Sequence, residues 1–155
     1  MSKIHSIDFE YDHDYALIGI HSILADYRMA YFLNDSLNIH LHRFKEDLDF
    51  SSKNCSFPLF TFDDKSAFKS WSLIANKFVF TEDVSSKGSN LFPVETKIAY
   101  LIPEKKQIDY FIKISGLKGA HEINETLHNI NKINNIIACF AIEPMNLKSR
   151  DNLIF

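Results

Sequence analysis

One stretch constrains the fold more than any other. From Glu95 to Gly116 the chain reads ETKIAYLIPEKKQIDYFIKISG. In its second half Ile108, Tyr110, Ile112 and Ile114 alternate with Asp109, Phe111 and Lys113. Successive side chains of an extended chain point to opposite faces, so this period-two pattern predicts a strand. KIAYLI ahead of it is a second extended arm, and PEKKQ between them reads as a polar turn. Two such arms joined by about five turn residues predict a β-hairpin.

The flanking segments fill out an α+β domain. YALIGIH (Tyr15 to His21) is short and apolar and reads as a buried strand. Ser22 is suited to cap a helix running to Leu37, apolar around most of its circumference and therefore covered on more than one side. IHLHRF, Ile39 to Phe44, alternates as a strand does. FPLFTF (Phe57 to Phe62) is an aromatic strand whose Pro58 suits an edge, and SWSLIANKF from Ser70 is another. Thr81 to Asn90 mixes Gly, Ser and charge and reads as a mobile loop, too short to separate two domains. After Gly116 and Gly119, Ile123, Leu127, Ile130 and Ile133 recur at helical spacing, which predicts an amphipathic helix over Glu122–Asn135. IIACFAI, Ile136 to Ile142, is a strand ended by Pro144, and residues 145–155 form a polar tail with an apolar last triplet. The expectation is one α+β domain over residues 1–155, a mainly antiparallel sheet with two principal helices.

Composition narrows the function. The chain has 155 residues with 14 Phe, 6 Tyr and 1 Trp, and each ring can bury about 150–250 Å². Phe57, Phe60, Phe62, Phe68, Trp71, Phe78 and Phe80 crowd one third of it, as an aromatic core or as an exposed docking face. The formal net charge is -3, and only Arg28, Arg43 and Arg150 supply guanidinium groups. A protein that lives on phosphate neutralisation needs a basic surplus, so general nucleic-acid binding is disfavoured. The polar, acidic start MSKIHSIDFEYDHDY lacks the apolar core of a signal peptide, and IIACFAI is too short to span a bilayer. Cys55 and Cys139 lie in no ligand cluster and read as reduced thiols. A cytoplasmic protein with no membrane segment is expected.

Ile102-Pro103-Glu104, three residues, then Ile108-Asp109-Tyr110 resembles the signature of the IPExxxVDY family of small bacterial proteins, with Ile108 where the family has Val. DYRMAYFLN (Asp26 to Asn34) and SLIANK (Ser72 to Lys77) are also similar to that family's pattern. The resemblance implies a bacterial, cytoplasmic, single-domain accessory protein. It implies no activity, cofactor or catalytic residue.

Chemistry at the signature has two readings. Pro103 and Glu104 suit a turn, Asp109 can bond turn amides, and Tyr110 can bury its ring with its hydroxyl at the rim. Alternatively Glu104, Asp109 and Tyr110 converge as an acid–base or ligand-binding cluster in a concave site. Elsewhere, His121, Glu125 and His128 share one helical face with metal-ligand spacing, but Glu125 stands where HExxH needs its second His. His40 with His42, and Asp12-His13-Asp14, lack the further ligands that a metal or calcium site needs. No nucleophile elbow, Walker loop or dinucleotide fingerprint is present, so no cofactor is expected. The reading that follows is a non-enzymatic binding module acting through a protein interface, expected to be a homodimer. A small-ligand site or enzyme centre near Glu104, Asp109 and Tyr110 is the alternative, and RNA stacking on exposed aromatics is a weaker one.

Overall fold

The computed structural model describes residues 14–50, 55–83 and 94–155. Its centre is a six-stranded, wholly antiparallel sheet in the order β10-β1-β9-β6-β5-β2. These strands are β1 (Tyr15–Ser22), β2 (His42–Arg43), β5 (Leu59–Asp64), β6 (Lys69–Ala75), β9 (Tyr110–Ser115) and β10 (Ile136–Ile142). β3 (Leu48–Phe50) pairs with β4 (Cys55–Phe57), and β7 (Lys77–Asp83) pairs with β8 (Val94–Tyr100). Two helices complete it, α1 (Asp26–Leu37) and α2 (Ala120–Asn131). The α+β fold read from the sequence is the one observed.

The sheet has a core on each face. On one, Ile18, Ile20, Leu73, Ile112 and Ile114 pack with Met29, Ala30 and Leu33 of α1 and Ile130 of α2. On the other, Leu17, Ile74 and Phe111 pack with Phe57, Leu101, Ile102, Ile108, Leu147 and Leu153. The alternation in β9 therefore separates two cores, not core from solvent, and Phe111 is as buried as Ile112. Strands covered on both faces hold the middle of the sheet.

This placement removes the expected hairpin. β9 lies between β1 and β6, with Ile112 opposite Ile18 and Leu73. β8 pairs instead with β7, from Lys77 opposite Tyr100 to Asp83 opposite Val94. The polar residues Glu95, Thr96 and Lys97 fit that exposed ribbon but not the centre of a sheet with two apolar faces. PEKKQ is no simple reversal either. Pro103–Lys105 is a 3-10 turn, and Ile102 and Ile108 on either side of it are fully buried.

Other boundaries shift for local reasons. Ser22 is still a strand residue opposite Ile136, so α1 begins at Asp26. Its hydroxyl donates to the Asn135 carbonyl at 2.7 Å and accepts from the Leu24 amide at 3.2 Å. The strand expected over Ile39–Phe44 is only His42–Arg43. Asn38 ends α1 in a left-handed conformation, and the Asn34 side chain clasps both backbone groups of Leu41. Pro58 splits the expected Phe57–Phe62 strand into β4 and β5, because it has no amide to give a ladder. Asn135, at φ 74, turns the chain into β10, so α2 does not extend to Asn135. Of the expected loop Thr81–Asn90, Thr81 to Asp83 belong to β7 and the rest lies outside the described residues. The tail 145–155 is packed, since Leu147 and Leu153 complete the second core. No helix among the described residues is long and apolar enough to cross a membrane.

Candidate functional site

Three separate sequence segments meet around the signature. Asn76, fully buried between β6 and β7, donates from Nδ2 to the carbonyls of Lys105 and Ile108 at 2.9 and 2.8 Å. Its Oδ1 accepts from the Ile102 amide at 2.8 Å. Its backbone amide donates to the Asp109 carbonyl and its carbonyl accepts from the Leu101 amide, both at 2.9 Å. One side chain thus satisfies the buried polar groups at both ends of the 102–108 turn, as a buried backbone requires. The SLIANK and IPExxxIDY stretches are joined through it.

The three signature residues part company at this turn. Glu104 is exposed, and its carboxylate accepts from the Ser149 amide at 2.7 Å and the Ser149 hydroxyl at 2.9 Å. Burial works to raise the Glu104 carboxyl, but the Ser149 donors outweigh it and hold it below the ordinary carboxylate range. Its work is to fix the tail to the turn. Tyr110 buries its ring and donates its hydroxyl to the Leu24 carbonyl at 2.6 Å. Burial, with the charges of Asp26 and Asp109, pushes that phenol up to about 12.

Asp109 is the hub of the only one of the three sites with open groups beside it. Its Oδ2 accepts from His21 Nδ1 at 2.5 Å and from the Ser22 amide at 2.9 Å. Its Oδ1 accepts from Lys77 Nζ at 2.6 Å. Burial would raise this carboxyl, yet the Lys77, Ser22 and His21 bonds together hold it below its usual value. It bonds no amide of its own turn; it ties β9 to the end of β1 and the start of β7. Beside it lies a hollow of about 410 Å³, walled on its polar side by His21, Lys77, Asp109 and Tyr110. Ile23, Leu24 and Ala75 supply the apolar wall. Glu104 is not part of it.

The other candidates do not assemble. His121, Glu125 and His128 are exposed along α2. Among the described residues, no group of three or more His, Cys, Asp or Glu side chains is placed to hold a metal ion. His40 meets the Phe62 ring edge-on, with centroids 5.7 Å apart. Asp12 and His13 lie outside the described residues. No family model, curated protein or solved structure matches this chain.

His21, Lys77 and Asn76 are the residues that reading the sequence missed. His21 lies 88 positions from Asp109 and Lys77 lies 32, and no local pattern announces contacts across such gaps. The only sequence signal was that SLIANK puts an amide and an ammonium directly after an apolar strand.

Proposed function

We propose that this chain is a non-enzymatic, cytoplasmic accessory module that works through a protein interface, and that its first partner is a second copy of itself. The observation carrying this is the contrast between the two edges of the main sheet. At one edge, β2 is two residues long, and its exposed His42 and Arg43 discourage further pairing. At the other, β10 presents seven residues, IIACFAI, with no charge and no proline. Ile137 there is 61% exposed and Phe140 39%. Among the described residues no further strand lies beside it, and a long apolar edge strand is a template for another strand.

A two-fold axis would set the strand against its own sequence, so no like charges oppose and both free edges are satisfied together. The slip in register between His21 and Ser22 confines any irregularity to the first residues of β10 and leaves Ala138 to Ile142 regular. The free thiol of Cys139 suits a reducing compartment, and the resemblance to the IPExxxVDY family points to the same kind of small accessory protein. Sedimentation equilibrium tests the reading. The wild type is expected to be a dimer, and Ala141→Lys, which puts a charge on the exposed penultimate residue of the strand, a folded monomer. A wild-type monomer up to millimolar concentration would overturn it.

A second reading, small-ligand binding, is favoured by the hollow beside Asp109. Base stacking on the sheet has less support, because both faces of the sheet carry packed layers.

A further inference from the structure

We propose that the hollow between the end of β1, the link that leads from it to α1, and the start of β7 binds a small anion, a carboxylate or phosphate group on an apolar body, gripped by His21 Nε2 and Lys77 Nζ. The inference rests on the ligand-binding reading and adds to it the class of ligand and the two residues that hold it.

The argument starts from which polar groups are spent. Asp109 already accepts three hydrogen bonds, from His21, Ser22 and Lys77. Its side chain is only 14% exposed, while those of His21 and Lys77 stand in front of it at 43% and 36%. A ligand therefore meets the donors before it meets the carboxylate. With Nδ1 bonded to Asp109, the ring atom His21 has left is Nε2, and no partner is bonded to it among the described residues. Lys77 carries three donors and gives one to Asp109. Tyr110 offers nothing, since its hydroxyl is committed to the Leu24 carbonyl. The hydroxyl of Ser22 is likewise committed to Asn135, so the His–Asp pair has no nucleophile to activate there. What remains open is a pair of donors once His21 is protonated, and donors call for an acceptor-rich ligand.

Charge agrees. The groups facing His21 are Asp109, Lys77 and the neutral phenol of Tyr110, with Asp26 beyond the phenol in the first turn of α1. Asp109 and Lys77 cancel, and Asp26 is paired with Arg43 at 3.3 Å, so a protonated His21 leaves a net positive site. At about 410 Å³ the hollow falls within the range of small-molecule sites, and Ile23, Leu24 and Ala75 suit an apolar body.

The experiment follows the His21 ring and the Lys77 ammonium by NMR. Inorganic phosphate, butyrate and butylammonium are titrated separately at constant ionic strength. Saturable shifts at His21 with phosphate or butyrate are expected, the stronger of the two naming the headgroup. Lys77→Met is expected to weaken binding about tenfold or more, the scale of one charge-assisted hydrogen bond. His21→Phe, at a position open enough to take the ring, is expected to do the same. Anion shifts that do not saturate, or that persist unchanged in both variants, overturn the proposal. Saturation by butylammonium alone overturns the anion assignment while keeping a ligand site; silence from all three probes removes both.

Discussion

Asn76→Ala puts the architecture of the signature to a quantitative test. The substitution removes the partner of the Ile102 amide and of the Lys105 and Ile108 carbonyls, while Ile102 and Ile108 are themselves fully buried. A buried group left unsatisfied costs about 1–3 kcal/mol, so three of them bound the loss at about 3–9 kcal/mol. Lys105 is partly exposed, and a water reaching its carbonyl offsets some of this, which sets the expected loss at about 3–5 kcal/mol. For a chain of this size that corresponds to a fall in Tm of about 6–20 °C. Urea unfolding followed by the fluorescence of the buried Trp71 measures it, with an unchanged slope showing that the unfolded state is unaffected. Asn76→Asp is expected to fare no better, because a carboxylate cannot donate to two carbonyls. Asn124→Ala, on the exposed side of α2, is the control and is expected to stay within about 0.5 kcal/mol of wild type. A loss at Asn76 of under about 1 kcal/mol would refute the idea that this side chain holds the turn.

Further outcomes follow from the same geometry. Because the folded Asp109 carboxyl is held below its unfolded value, the stability it supplies is complete above about pH 4 and is lost as pH falls through the lower folded value. The gap in urea midpoint between wild type and Asp109→Asn is therefore expected to narrow on acidification, and a gap that widens would contradict this. With Tyr110 pushed up to about 12, its phenol is expected to stay neutral where exposed tyrosines ionise, and to supply stability that is lost as pH rises through that value. Absorbance at high pH checks it, the amplitude of the late-titrating component falling in Tyr110→Phe while the part from Tyr15, also raised by burial, remains. Gly116 sits at φ +84, where an added Cβ would strike the Phe68 carbonyl, whereas one at Gly19 would meet only the side-chain ends of Ile108 and Ile142. Gly116→Ala is expected to destabilise more than Gly19→Ala by about 1 kcal/mol or more in thermal unfolding, and the reverse order would refute it.

What the sequence showed, it showed through local pattern. β1, β9 and β10 follow from short apolar runs bounded by polar residues, and α2 from isoleucines at helical spacing. Pairing was not legible. Ile108 to Ile114 alternate cleanly, but alternation cannot say whether the second face meets water or another core, and here Phe111 belongs to the same buried core as Phe57, Leu101 and Leu153. The hairpin expectation failed on that ambiguity. The candidate site was half legible for a related reason. Asp109 and Tyr110 stood out by resemblance, but Glu104 turned to Ser149 in the tail, and His21 and Lys77 came to Asp109 only through the strand order. Contacts of long sequence separation are decided by the sheet's assembly.

Hydrogen exchange of the β10 amides as a function of protein concentration tests most directly whether the chain works by pairing with its own kind. Protection across Ala138 to Ile142 that rises with concentration and is abolished in Ala141→Lys is the expected result. Exchange at β10 that is the same at every concentration, in wild type and variant alike, would contradict it.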